Sequence, residues 1–341
     1  MKPTVIPGLP LARARSLLCA LGERIQTELI AKRSQGTARL SRVAGVTQAD
    51  TIYQIDRLSE AAIVAWFEAH WPPRCPVEIV MEGLADGQQL TFPRGTPVER
   101  TVAKCIIDPI DGTRNLMYDK RPAWALAGLA PQRGSKNRLS DLVVAAMTEL
   151  PISKQGRVEQ WSAIRGQGRA GVQGVMTELA TGRRRKVRPA PSPATDCRHG
   201  FAALVKFFPE GKALTAQIEE RLWNELYGRD GQPVIFDEQY TTTGGQLYEL
   251  LAGHDRMIGD LRPLIYRKLG LTTSLVCHPY DICTALILTE AGGVVEHPLG
   301  GPVQAPLDTT SPVAWVGYAN PALARTIRPV LKKWVLRDLA R

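Results

Sequence analysis

Residues 105–115 read CIIDPIDGTRN, and the reading of this stretch decides the fold. Cys105-Ile106-Ile107 is a short apolar run of the kind that forms a buried strand. It delivers a carboxylate, Asp108. Pro109 follows and has no N–H to give to a sheet ladder. Asp111, Gly112 and Thr113 come at once, so the pattern predicts a strand end turning into a helix start. Two carboxylates three residues apart on such a turn can converge on one hard cation, and the adjoining Gly-Thr amides lie where an anion is welcome. The competing reading is a surface turn, because Asp-Pro and Asp-Gly pairs are common turn formers. A buried apolar strand does not usually end in two carboxylates without a cation, which favours the first reading.

The chain around this stretch has 341 residues, of which 44% are hydrophobic, enough for one large domain or two ordinary ones with a sizeable core. A net charge of +10 points to anionic ligands or nucleic acid and says nothing about fold. The cysteines (Cys19, Cys75, Cys105, Cys197, Cys277, Cys283) form no CxxC pair. Cys105 and Cys283 sit in apolar runs, and a reducing, cytoplasmic compartment is expected. The longest apolar run, Ala61 to Phe67, is too short to span a membrane. Arg13 and Arg15 before Leu17–Leu21 faintly imitate a targeting peptide, but Glu23 and Glu28 continue the segment as an amphipathic helix.

Apolar spacing predicts helices over about Leu9–Ala31 and from after Asp50 to about His70, the second with a stripe of Ile52, Ile55, Ile63, Trp66 and Phe67. A strand over Val77–Met81 ends on Glu82, and 86–98 reads as a loop or hairpin. Trp124–Ala130, Leu142–Leu150 and Gln160–Arg165 read as strands of one antiparallel sheet. The turn Arg165-Gly166-Gln167-Gly168 is a weak phosphate-loop candidate, since no Lys-Ser/Thr follows it. Arg183-Arg184-Arg185-Lys186 and the proline-rich 189–193 mark the expected boundary between residues 1–186 and 187–341. The run lacks interleaved aromatics, so a solvated face is expected rather than a nucleic-acid patch. Beyond it, strands (His199–Phe208, Val234–Phe236, Arg256–Leu261, Val313–Tyr318) alternate with helices (Ala213–Tyr227, 241–253, Ile282–Glu290, 321–339). That alternation predicts layered α/β packing.

Acidic residues recur at element boundaries: Asp50, Glu82, Asp108, Asp111 and Asp281, the last at the start of an apolar helix, where it also fits a helix cap. Together they predict a cluster of oxygen ligands for a hard cation, with Mg²⁺ the expected ion. The histidines are scattered without paired spacing, and His278 reads as structural or supporting. No Ser-His-Asp or Cys-His nucleophile is evident.

Here the sequence resembles the inositol monophosphatase family, within the Mg²⁺-dependent, lithium-sensitive superfamily that includes fructose bisphosphatase and the bisphosphate nucleotidases. Asp108-Pro109-Ile110-Asp111-Gly112-Thr113 matches the first family signature. Tyr280-Asp281 with Thr289-Glu290-Ala291-Gly292-Gly293 is similar to the second. Val46-Thr47-Gln48-Ala49-Asp50 resembles its Val-Thr-x-x-Asp, and Ala163–Gly168 its Ala-x-x-Gly-x-Gly turn. The resemblance implies a layered αβαβα sandwich of the sugar phosphatase type. It implies that Glu82, Asp108 and the Ile110 carbonyl hold one Mg²⁺ and Asp108, Asp111 and Asp281 a second, with Glu82 sharing a third. Thr113, with Asp50 nearby, would orient and deprotonate the attacking water, and the Gly112 and Thr113 amides would bind phosphate. Thr241-Thr242-Thr243 and Asp260 would contact the substrate, Asp260 at its sugar hydroxyls.

The chain departs from the family at Gly83, Tyr280 and Thr241, and in a longer segment between Asp260 and Asp281 carrying Arg262, Arg267 and Lys268. That segment could reshape the pocket or recognise a second anionic group. The expected function is a Mg²⁺-dependent phosphomonoesterase acting on an inositol phosphate or related sugar phosphate, as a homodimer, with no membrane or nucleic-acid partner. The alternatives are a bisphosphate nucleotidase or sugar bisphosphatase, and a non-catalytic phosphate- or nucleic-acid-binding protein on the same fold.

Overall fold

The computed structural model describes residues 5–33, 43–46, 51–84, 88–228, 234–272 and 275–339. Asp50 and residues 47–49 of the Val-Thr-x-x-Asp segment lie outside them.

Helix α1 (Leu11–Arg33) leads to the paired strands β1 (Val43–Val46) and β2 (Thr51–Tyr53), then α2 (Gln54–His70). The second helix therefore starts later than its apolar stripe suggests, and β-branched Thr51 and Ile52 go into a strand. Next come β3 (Val77–Met81), β4 (Leu90–Phe92), β5 (Ala103–Asp111), the short α3 (Thr113–Met117), β6 (Ala123–Pro131), β7 (Val144–Leu150), β8 (Arg157–Ile164), the short α4 (Gly168–Gly171), β9 (Gln173–Glu178) and β10 (Arg184–Val187). β3 to β10 form an eight-stranded sheet in the order β10-β9-β8-β7-β6-β5-β3-β4. Every neighbouring pair is antiparallel except β3 and β5, which are parallel. The basic run is thus the edge strand β10, where exposed charge discourages pairing with another chain. Arg183 pairs with Glu178, and Arg184 with Glu23 of α1.

The second sheet is built from β11 (Gly200–Leu204), β12 (Ile235–Phe236), β13 (Asp255–Asp260), β14 (Val294–Glu296) and β15 (Trp315–Tyr318), in the order β12-β11-β13-β15-β14. Its helices are α5 (Lys212–Tyr227), α6 (Thr243–Ala252), α7 (Arg262–Lys268), α8 (Pro279–Ile282), α9 (Ala285–Glu290) and α10 (Pro321–Leu339). The apolar segment expected as one helix over 282–290 is two short ones, separated by Cys283 and Thr284. The strand expected to reach Phe208 stops at Leu204, and beyond it the Lys206 N–H donates to the Gln239 side chain at 2.9 Å instead of to a neighbouring strand.

Five layers result. α1 and α2 cover one face of the large sheet. Ile25, Ile63 and Phe67 meet Val77, Ile107 and Val144 there. α6, α8 and α9 cover the opposite face, and α6 and α9 also pack on the second sheet. α5 and α10 close its outer side. A continuous core joins Trp124 and Met147 of the large sheet to Leu250 of α6, Trp315 of β15 and Leu331 of α10. This is the layered α/β sandwich expected of the sugar phosphatase type. Among the described residues no helix is long and apolar enough to cross a membrane.

Candidate functional site

β5 does not end at Pro109. It runs on to Asp111, and the proline marks a bulge. Asp108 lies opposite Leu126 and Asp111 opposite Trp124, so three steps along β5 match two along β6. Side chains three apart on a regular strand point to opposite faces; the extra residue turns Asp108 and Asp111 to the same one. Pro109 suits the place because a bulged residue has no ladder partner to supply. The Ile110 N–H donates to Asp108 Oδ1 at 3.0 Å, which fixes that carboxylate against its own backbone.

The parallel pairing of β3 with β5 brings the next acid. Met81 aligns with Ile107, and the Glu82 N–H donates to the Ile107 carbonyl at 3.3 Å, so Glu82 emerges beside Asp108. The fourth comes from α8. Pro279 opens that helix, and Asp281 Oδ2 accepts the His278 N–H at 2.5 Å. The helix-cap and ligand readings of Asp281 are therefore compatible. His278 supports the arrangement: its ring Nδ1 lies 3.1 Å from the Ser311 carbonyl, and the ring stacks on Tyr280.

Carboxylate oxygens of Asp108, Asp111 and Asp281 all lie within 4.8 Å of one another. Burial pushes Asp108 well above the ordinary carboxylate range, and the charges of Glu82, Asp111 and Asp281 push it further. Asp111 is raised by burial and by Asp281, against N–H donation from Gly244 and Thr243 and the Thr242 side chain. Burial raises Asp281 to about 6, with His278 opposing. Massed carboxylates held apart from water call for a cation. The donor set is all oxygen, which fits Mg²⁺ or a similar hard divalent ion rather than zinc.

Two glycines permit this geometry. Gly112 sits at φ +97°, and a Cβ there would lie 2.4 Å from Thr242 Cγ2. Gly244 lets its N–H reach Asp111 Oδ2 at 2.5 Å; a Cβ there would lie 2.8 Å from Leu126 and 2.9 Å from the same carboxylate oxygen. Thr242 caps α6, accepting the Gly245 N–H at 2.6 Å, and the Thr241 hydroxyl donates to Asn115 Oδ1 at 2.9 Å.

The acids form one end of a cavity of ≈ 280 Å³. Of the sequence-predicted site residues, Glu82, Asp108, Ile110, Asp111, Gly112, Thr113, Thr241, Thr242, Thr243 and Asp281 all line it. Asp260 does not: it is fully buried, with its carboxylate taken up by Arg262, whose Nη2 lies 2.6 Å from Oδ2 and whose Nε lies 2.9 Å from Oδ1. Arg262, from the longer segment between Asp260 and Asp281, lines the cavity, as do Arg114, Gln246, Phe207 and Phe208, which no motif singles out as site residues. The only sequence signal for the aromatic pair is two adjacent phenylalanines just before Pro209.

The Gly166–Gly168 turn has another occupant. The Glu290 carboxylate of α9 accepts the Gly166 N–H at 2.8 Å and the Gly168 N–H at 2.6 Å. Those amides tie β8 to α9 and are not offered to phosphate, in keeping with the plain-turn reading.

No protein-family model and no curated protein sequence matches the chain. Solved structures do match over nearly its whole length. The extragenic suppressor protein suhB from Bartonella henselae is 17% identical, covers 94% of this chain and 98% of its own, and superposes with a TM-score of 0.63. Leishmania major fructose-1,6-bisphosphatase is 14% identical, with 94% and 92% covered and a TM-score of 0.63. A hypothetical protein from Pyrococcus horikoshii, described as having similarities to inositol-1 monophosphatase, is 14% identical, with 94% and 99% covered and a TM-score of 0.59. The chain shares their fold.

Proposed function

We propose that this chain is a Mg²⁺-dependent phosphomonoesterase of the inositol monophosphatase superfamily, hydrolysing the phosphate ester of an inositol or related sugar. The observation that carries the reading is the group of three carboxylates within 4.8 Å of one another at the end of a cavity. Asp108, Asp111, Asp281 and Glu82, with the Ile110 carbonyl, are the groups that would hold the cations. Divalent ions bound there would supply charge neutralisation, activation of water and stabilisation of the leaving oxygen.

The protein's own groups do the rest. Gly244 fixes Asp111 and His278 fixes Asp281, so neither carboxylate needs to reorganise. The Thr113 hydroxyl donates to the Ile110 carbonyl at 2.9 Å, and it would orient the attacking water. The Gly112 and Thr113 amides would receive phosphate oxygens. Thr241, Thr242, Thr243 and Gln246 give the neighbouring wall polar groups for the hydroxyls of a sugar. Asp50 keeps the role the resemblance gives it, as a partner of Thr113. Homodimeric assembly, inhibition by lithium and a cytoplasmic location go with the same reading.

A nucleotide is the second reading of the substrate, favoured by Phe207 and Phe208 on the cavity wall. Phosphate release from a panel of inositol, sugar and nucleotide phosphates, with Mg²⁺ and with a chelator, tests the enzyme reading. Turnover that needs the metal is expected. Its absence on every substrate overturns the reading, and salt-sensitive nucleic-acid binding in its place would favour a non-catalytic protein.

A further inference from the structure

A fifth acid stands behind the four that face the cavity. Glu60 belongs to α2 and shares a helix face with Ile63 and Phe67, three and seven residues on, both buried in the core against the large sheet. A carboxylate on that face is costly unless something answers it. Phe67 stacks on Phe92, which pairs with Val77 at the start of β3. Glu60 lies roughly 10 Å back along the helix from Phe67, beside the turn that follows the other end of that strand. α2 therefore runs against β3, and its early turns overhang the strand ends from which Glu82 and Asp108 emerge.

The contact with that turn is close. Gly83 sits at φ +89°, and a Cβ there would lie 3.0 Å from Glu60 Cδ and closer still to Oε1. Any other residue at 83 would meet the Glu60 side chain and would also carry an unfavourable backbone conformation. Gly83 is one of the positions at which the chain departs from the family it resembles, and Glu60 fills the room it leaves. Glu82 lines the cavity and Glu60 does not, so Glu60 stands outside it, against the residue next to Glu82.

We propose that Glu60 is a positioning residue of the cation site: it holds the Glu82–Gly83 turn and supplies a negative charge beyond the ligand set. The proposal rests on the metal-dependent reading and adds to it a residue that neither the motifs nor the cavity lining reveals. Its contact with Gly83 limits where the Glu82 side chain can point, as groups outside a ligand shell do for the ligands themselves. Its charge adds to those of Glu82, Asp108, Asp111 and Asp281. Repulsion among them makes the metal-free protein less stable, and the same charge makes it bind a cation more tightly. A residue that only packs would support the metal-free protein instead.

The test titrates Mg²⁺ alone into the intact, chelator-treated protein by calorimetry and follows thermal unfolding in chelator, for wild type, Glu60→Gln and Glu60→Asp. Glutamine keeps the shape and loses the charge; aspartate keeps the charge and loses reach. Glu60→Gln should bind Mg²⁺ about tenfold more weakly, the lower end of what groups outside a ligand shell contribute, with a Tm in chelator no lower than that of wild type. Glu60→Asp should bind more tightly than Glu60→Gln, and the Mg²⁺ concentration for half-maximal phosphate release should follow the same order. Unchanged Mg²⁺ affinity in Glu60→Gln overturns the proposal and leaves the phosphatase reading standing. So does a loss of affinity together with a lower Tm in chelator, which is the mark of packing alone. An aspartate variant no tighter than the glutamine one assigns the loss to shape and overturns the role of the charge. Wild-type protein that binds no Mg²⁺ overturns the metal-dependent reading and this proposal with it.

Discussion

Asp281→Asn should make the metal-free protein more stable. In the wild type Asp281 faces Asp108 and Asp111, and its carboxyl is raised from 3.8 to about 6, chiefly by burial. A carboxyl with a raised folded pKa stays protonated in the folded state after it has ionised in the unfolded chain. Stability therefore falls as pH rises from near 3.8 through about 6, and the loss is complete above that window. A shift of this size corresponds to about 2–3 kcal/mol near pH 8, the lower end allowing for water in the cavity. Asparagine suits the position: its oxygen can still accept the His278 N–H, and its amide can donate to Asp108 where the wild type sets two acids together. For a chain of this size, about 2 °C per kcal/mol gives a rise in Tm of about 4–6 °C near pH 8 in a chelator. The gain should shrink toward pH 4 and should be offset when Mg²⁺ stabilises the wild type by binding. Thermal unfolding across that pH range, with chelator and with Mg²⁺, measures it. A variant no more stable than wild type near pH 8 without metal would refute the cost assigned to burying the ionised Asp281 carboxylate.

Two further substitutions probe the supports. Gly112→Ala forces an L-residue to a φ of +97° and sets its methyl 2.4 Å from Thr242, so a loss of more than about 2 kcal/mol is expected in denaturant unfolding, with turnover falling alongside. Glu290→Ala removes both acceptors from the Gly166 and Gly168 amides, and because these amides are exposed and water can take its place the cost is about 1 kcal/mol. Hydrogen exchange at those two amides should accelerate before exchange in β5 does, while unaltered exchange would separate Glu290 from the turn.

Much of the site can be read from the chain. Asp111 ends β5 and Asp281 lies in the first turn of α8, places that the neighbouring Gly112 and Pro279 mark, whereas Asp108 lies inside β5, three residues before its end. How Asp108 and Asp111 come to share a face is not local: it depends on the slip between β5 and β6, which only the partner strand reveals. The approach of Glu82 likewise depends on parallel register with β5, because a strand's neighbours are not written in its own periodicity. The Arg165–Gly168 turn is recognisable from its glycines, but Glu290, which fills it, comes from a helix more than a hundred residues away. The resemblance gives Asp260 a substrate role, and only the fold shows its carboxylate held by its neighbour Arg262. The basic run reads as a boundary by composition, yet hairpin pairing with the preceding β9 makes Arg184–Val187 a strand, since propensity is a weak prior at an exposed edge. Residues 51–53 show the same override at the start of α2.

In the proposed function the acidic cluster serves a metal-dependent hydrolysis of phosphate esters. Its most direct test is phosphate release by wild type and by Asp111→Asn, assayed together on the same ester panel, with the fold of each checked by circular dichroism. Asparagine keeps an oxygen for the Gly244 N–H, so the fold should hold while one ligand charge is lost. Mg²⁺-dependent release by the wild type is expected, with a loss of at least about a hundredfold in the folded variant, on the scale of removing one group from a preorganised charged site. Near-normal, metal-dependent release by Asp111→Asn, or wild-type release indifferent to chelator, would contradict it.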